Sequence, residues 1–275
     1  MKEQPGARIE LHDTEPHRGV SQGRERIAEA SPRRLARIAG SLGLINIVFG
    51  AIAFVPDMLV VPDMATTAHN IQTHELLYRF GLAAHLVICV TNVLSTVIFY
   101  DLFKVVNRRL ALLDVFFTLV ATSVEATSLL LQVVPLVLLG SGPYASALPA
   151  AQLQALAYLP GDLSKIDYSI YGILYGVDWI IVAYLVFRST FLPRTIGVLL
   201  AIDGIAYLVY GFADLLAPGF AAYLVPWIQS PSLLSEGSFY LWLLIVGVNV
   251  ERWKERASAA SRMRSTEVEA TTMKA

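Results

Sequence analysis

The sequence predicts an all-α fold: a polytopic bundle of six transmembrane helices with both termini on the cytoplasmic side. Three observations predict it. First, 55% of the 275 residues are hydrophobic and only 16% are charged, against about 25% charged in an ordinary soluble domain. Second, the charges segregate. Residues 1–37 hold eight Lys/Arg and six Asp/Glu, residues 251–275 hold six and four, and the 213 residues between hold only seven and twelve. Third, the few basic residues of that middle region fall on alternate loops, as the positive-inside rule requires.

The elements follow in order. Residues 1–33, rich in Glu, Arg, Gly, Pro and Ser with no apolar face, read as a disordered cytoplasmic tail. The first apolar run begins too late for a cleaved secretory signal and reads as a retained anchor. Six spans, each long enough for a hydrocarbon core of about 30 Å, fall near residues 35–55, 77–103, 110–139, 167–187, 195–214 and 233–250. Residues 34–250 thus form the membrane domain and 251–275 a cytoplasmic tail.

Arg33, Arg34 and Arg37 precede the first span, and Lys104, Arg108 and Arg109 join the second to the third. Arg188 and Arg194 join the fourth to the fifth, and Arg252, Lys254 and Arg256 follow the sixth. The other side offers only Arg79 and Lys165, so the count is eleven against two. The longer loops lie on that second side. Within residues 140–166, the stretch "PAAQLQALAYLPG" reads as an interfacial helix ended by Pro160–Gly161. Residues 215–232 carry Tyr223 and Trp227, suited to the headgroup layer.

Several function classes lose their markers. Phosphate-loop, dinucleotide, zinc-protease and G-x-S-x-G signatures are all missing. The single cysteine, Cys89, precludes an intrachain disulfide or a cysteine-based zinc site. No cofactor and no resident metal are expected; His69 and His74 with Asp57, Asp63 and Glu75 form only a loose outer-loop set. Near-neutral net charge gives no argument for nucleic acid. The absence of internal repeats gives none for an inverted-repeat transporter.

The signal that remains is polar. Residues at i, i+4, i+7 and i+11 share a helical face. Asp203, Tyr207, Tyr210 and Asp214 follow that spacing, and so do His85, Cys89, Asn92 and Thr96. Tyr168, Tyr171, Tyr175 and Asp178 share a face of the fourth span. Thr118, Thr122, Glu125 and Gln132 share one of the third, Gly43, Asn46 and Gly50 one of the first, and Glu236 and Tyr240 stand four apart in the sixth. A charged side chain at a helix centre costs about 2.5–3.5 kcal/mol on insertion scales. Glu125, Asp178, Asp203 and Glu236 should therefore face each other or water inside the bundle. Span arithmetic puts His85, Asp178 and Tyr210 about 7–15 Å below the outer surface at 1.5 Å per residue, with Glu236 shallower and Glu125 and Asp203 nearer the midplane. The expectation is a polar cavity in the outer half of the bundle, with the four acids as candidate catalytic groups and His85, Asn92, Tyr171, Tyr175, Tyr207 and Tyr210 as ligand-binding groups. Other polar residues have structural readings: Asp101 pairs with Lys104 or Arg108, Asp114 suits the N-terminal dipole of its helix, and Asp214 is solvated at a helix end.

Particular stretches also carry a resemblance. "RRLARIAGSLGLINIVFGAIAF", "LVVPDMATTAHNIQTHELLYRFGLAA", "FKVVNRRLALLDVFFTLVATSVEATSLL", "YLVFRSTFLPRTIGVLLAIDGIAYLVYGFADLLAPGFA" and "SEGSFYLWLLIVGVN" resemble the bacterial membrane family known as domain of unknown function 4386, over most of residues 34–250. The "VNR" turn, the "VEA" of the third span, the "LPR" turn and the Glu–x7–Gly pattern of the last span are its most distinctive pieces. The resemblance implies that Glu125 and Glu236 stand on the family's recurrent glutamates, whereas Asp178 and His85 stand where it varies. It implies a bacterial cytoplasmic membrane location and no particular substrate.

Three functions are compatible with these residues. A binding or transport protein would hold a small or lipophilic ligand in the cavity, with membrane lipids as its other partners. An intramembrane enzyme would use one carboxyl as general acid and a second as base, with tyrosine faces steadying a cation, as acid-initiated cyclisation of a prenylated substrate requires. An accessory or sensor subunit would use its tails and cytoplasmic turns.

Overall fold

The computed structural model describes residues 31–228 and 230–272; the tail at 1–30 lies outside the described residues. Among them every regular element is helical. In chain order these are α1 (Pro32–Ala53), α2 (Val55–Leu59), α3 (Met64–Thr73), α4 (Glu75–Phe103), α5 (Arg108–Leu139), α6 (Pro143–Ala147), α7 (Ala150–Arg188), α8 (Arg194–Leu216), α9 (Pro218–Ile228), α10 (Ser230–Ile245) and α11 (Val250–Thr272). Five segments are long and apolar enough to cross a bilayer: α1 with α2, α4, α5, α7 and α8. The sixth, α10, qualifies only together with α11, from which it is bent by 97°.

The long helices form a closed ring. Each packs on the next, α1 on α4, α4 on α5, α5 on α7, α7 on α8 and α8 on α10, and α10 returns to α1. The short helix α3 lies across one end against α5 and α7. The outward faces are apolar, with Val48 60%, Leu130 73% and Leu234 70% exposed. The polar side chains turn inward, with Asp203, Asp114, Asp178 and Glu125 all buried. Apolar outside and polar inside is the arrangement lipid demands.

Two stripes of small residues set the tightest contact. Gly197, Gly204 and Gly211 recur every seventh residue of α8, and Ser169, Gly176 and Ala183 do the same on α7. A Cβ added at Gly204 would sit 2.7 Å from the Gly176 carbonyl oxygen, one at Gly211 would sit 2.8 Å from that of Ser169, and one at Gly197 would sit 3.0 Å from that of Ala183. The two backbones therefore touch along the whole seam, as small residues allow in membranes. On α1, Gly43 makes room for the Tyr240 ring of α10.

The structure corrects two sequence boundaries. Residues 150–188 are one helix of 39 residues, about 58 Å long, which passes through Pro160 and Gly161 rather than ending there. Proline removes one backbone donor, and here it interrupts the ladder without breaking the helix. The sixth span stops at Ile245, not 250. Gly247, at φ +75°, ends α10: its N–H and that of Val246 both donate to the Trp242 carbonyl, a left-handed C-terminal cap. Asn249 then caps α11, its side chain accepting from the Arg252 N–H at 3.1 Å. The C-terminal segment read as a tail is helical through Thr272. Trp253 Nε1 ties it to the Leu102 carbonyl at 3.0 Å, and the Arg252 and Arg256 guanidiniums donate to the carbonyls of Thr190 and Arg188.

Local chemistry explains two of the distinctive turns. The "VNR" turn supplies Asn107 as N-cap of α5, accepting from the N–H groups of Arg109 and Leu110. In the "LPR" turn, Pro193 is the N-cap of α8. The Phe191 carbonyl there accepts from the Asn249 N–H, which fixes α11 to the same end of the bundle.

Candidate functional site

The four acids do not meet at one point. They occupy three clusters that share residues at their borders. In the first, His85 Nε2 on α4 lies 2.9 Å from Glu125 Oε1 on α5, and the Asn92 amide donates to Glu125 Oε2 at 3.5 Å. Asn46 of α1 donates to Asn92 Oδ1 and accepts from the Thr91 hydroxyl. Three helices are thus tied through one carboxyl. The stripe spacing of α4 brought His85 and Asn92 to the same side; the part of Asn46 is visible only once α1 packs on α4.

In the second cluster, the Thr118 hydroxyl of α5 donates to Asp178 Oδ1 of α7 at 3.2 Å and accepts from Thr96 of α4 at 3.4 Å. Asp178 also interacts with Asp114 of α5. The dipole reading of Asp114 is corrected. It is the seventh residue of its helix, beyond the first turn to which the dipole effect is confined, and it is only 1% exposed. Among the described residues, neither Asp114 oxygen has a geometric hydrogen-bond donor. Beside Asp178 lies a small cavity of about 20 Å³, walled by Asn92, Ser95, Thr96, Thr118, Tyr175 and Tyr240 among others.

In the third cluster, Glu236 of α10 accepts from the phenols of Tyr175 on α7 and Tyr207 on α8, each at 3.5 Å. One turn away, the Ser232 hydroxyl donates to Asp203 Oδ1 at 2.6 Å. A cleft of about 230 Å³ opens here, lined by Ile47, Tyr168, Tyr207, Ser232, Leu233 and Glu236. An aromatic wall stands behind it. Tyr171 stacks on Tyr175 at 5.0 Å, Tyr175 meets Tyr207 edge-on at 5.3 Å, and Trp179 and Tyr240 continue the wall. Tyr210 packs on Tyr168 at 6.3 Å and is absent from the cleft lining. Tyr175 is the shared residue: it walls the small cavity and binds Glu236.

Distances along the helices order the acids from the basic end of the bundle. Asp178 lies ten residues before Arg188 and Asp203 nine after Arg194. Those separations are about 15 and 14 Å along the helices. Glu236 lies nine residues before the end of α10, about 14 Å, because the Gly247 turn ends that helix early. All three therefore stand at about the same level of the bundle. Glu125, seventeen residues from Arg108, is about 25 Å along α5 and forms a layer farther from the basic end.

The remaining polar residues hold structure. Asp101 pairs with Lys104 at a half-exposed site, where such pairs contribute little. Asp214, expected to be solvated, is half-buried and accepts from Ser169 across the α7–α8 seam. His69 and His74 make only local contacts, to Thr73 and to the Asn70 carbonyl. Among the described residues, no three His, Cys, Asp or Glu side chains cluster as metal ligands.

An apolar-faced ring of long helices around a polar centre is a multi-pass membrane protein, in contact with lipid on its outer surface. Residues 38–247 match the family described as domain of unknown function (DUF4386), and the chain belongs to that family. No curated protein and no solved structure matches it.

Proposed function

We propose that the protein binds a small amphipathic ligand in the cleft beside Glu236. The ligand's polar head would meet Glu236 and the two tyrosines, and its apolar part would lie toward Ile47, Leu233 and the surrounding lipid. The observation that carries this is the cleft itself, about 230 Å³ with one acid, one serine and two tyrosines set among apolar side chains. Ligand sites combine mostly apolar walls with a few placed polar groups, typically in about 300–1,000 Å³. The smaller volume favours a small molecule, or the head of a longer lipophile whose tail stays in the bilayer. A membrane acid kept inside the bundle supports function, because such groups are expensive to hold there. The proposal places the basic end of the ring on the cytoplasmic side of a bacterial membrane, following the excess of Lys and Arg there.

A second reading is an acid–base enzyme acting on a lipid or prenylated substrate. The aromatic wall of Tyr171, Tyr175, Trp179, Tyr207 and Tyr240 favours it, since such faces steady cations. Glu236 would be the acid and Asp203 the base.

Native mass spectrometry of the full chain released from mild micelles tests both. Wild type should carry a small bound species, and Leu233→Trp, which fills the cleft, should lose it while remaining folded. Equal retention by the two proteins would overturn the cleft as the site. Glu236→Gln separates the readings. Binding should weaken several-fold if the site only binds, whereas an unprocessed substrate should accumulate on the variant if the site catalyses.

A further inference from the structure

We infer that the small cavity between α4, α5, α7 and α10 binds a single sodium ion. Its polar walls are mainly oxygen-bearing, the Asn92 amide, the hydroxyls of Ser95, Thr96 and Thr118, the phenols of Tyr175 and Tyr240 and the Asp178 carboxyl, beside Phe99, Trp179 and Val182. Oxygen donors of this kind suit hard cations and not thiophilic metals. The volume, about 20 Å³, holds one body of the size of a water and excludes an organic ligand.

Two further observations point to a bound species. Ser95 is 6% exposed and walls the cavity, yet among the described residues its hydroxyl has no partner. Asp114 stands behind Asp178 and interacts with it, so two carboxyls meet at this wall. Buried polar groups are rarely left unpaired, and a cation held by Asp178 would take the Ser95 hydroxyl as a ligand. The charge points the same way. Asp114, Glu125, Asp178 and Asp203 are buried, while among the described residues no Lys or Arg is. His85 is engaged with Glu125 in the neighbouring cluster. Only one carboxyl walls the cavity itself, which matches a monovalent ion rather than a divalent one. Tyr175, shared with Glu236, gives the ion a physical link to the cleft, but the sodium site does not depend on what the cleft holds.

The experiment is the thermal unfolding midpoint of the purified full chain in micelles, with sodium chloride exchanged for potassium or choline chloride at constant ionic strength. A ligand that binds only the folded state raises the midpoint with its concentration. Sodium should raise it saturably and the other two salts should not. Ser95→Ala and Thr118→Val should shift the sodium half-saturation by roughly tenfold, and Asp178→Asn should abolish the response. Glu236→Gln should keep it, so failure of the cleft and failure of this site are read separately. Identical curves in all three salts, or Ser95→Ala and Thr118→Val proteins with the wild-type sodium response, would overturn the proposal. The two mild substitutions keep the test decisive if Asp178→Asn does not fold.

Discussion

The α7–α8 seam and the polar centre are built from the same two helices and solve opposite problems. Along the seam, Gly197, Gly204 and Gly211 meet Ser169, Gly176 and Ala183, and the backbones touch. One helical turn around α7, Tyr175 and Asp178 face the interior, where the side chains leave a small cavity on one side and a cleft on the other. The seam spends its small residues on dispersion contact, the main source of helix association in lipid. The centre keeps carboxyls whose insertion is costly and leaves space beside them. A bundle selected only for stability would fill that space. On the proposed function, the seam supplies cohesion and the centre the ligand site.

The comparison can be broken most severely at Gly204. Gly204→Leu forces a side chain into the Gly176 carbonyl, and overpacking of this kind costs about 1–3 kcal/mol or more. Size-exclusion chromatography should show aggregation or a lower unfolding midpoint; a wild-type profile would mean the seam does not hold the bundle. Leu233→Trp should leave that profile unchanged while the bound species is lost, since it adds bulk only to the cleft. Two helix caps lie in neither region and serve as controls. Asn249→Ala should cost about 1 kcal/mol, seen as faster amide exchange at the start of α11, with no effect on ligand retention.

The smallest effect is expected at Asp63, the N-cap of α3. Its carboxylate accepts from the Thr66 hydroxyl at 2.6 Å and the Thr66 N–H at 2.7 Å, and these bonds, the hydroxyl first, hold it below the usual carboxylate range. A depressed carboxylate contributes its stability above the unfolded value and loses it as pH falls through the folded one. Amide exchange at Thr66, corrected for its intrinsic pH dependence, should therefore lose protection only at acid pH, and Asp63→Asn should remove that dependence. The sodium response should not follow this change.

Much of this was legible in the sequence, and what was missed has physical causes. The helical spacing of His85 and Asn92, and of Tyr171, Tyr175 and Asp178, gave the correct inward faces because periodicity reports which side of a helix is polar. It does not report which helices are neighbours. The separation of Glu125 from Glu236, and the roles of Asn46 and Ser232, emerged only from the order of the ring. Asp114 was misplaced because the true start of α5, set by the Asn107 cap, precedes it by a turn and a half. The break after Ile245 did have a signal, Gly247 followed by Asn249, a C-cap and an N-cap in sequence, but both sit in an apolar run that reads as one span. The seven-residue repeat of small residues on α7 and α8 was equally present, masked by the more conspicuous tyrosines and aspartates on the neighbouring faces.

The central claim is that the polar centre serves function rather than cohesion. Its most direct test is the unfolding midpoint of the Asp178→Asn/Glu236→Gln double variant, measured in choline chloride beside wild type and Gly204→Leu. The amide at 178 can donate to an Asp114 oxygen, and the one at 236 can still accept from Tyr175 and Tyr207. The account predicts a double-variant midpoint at or above wild type, with Gly204→Leu well below it. A double variant that unfolds first, beside a Gly204→Leu protein that holds, would contradict it.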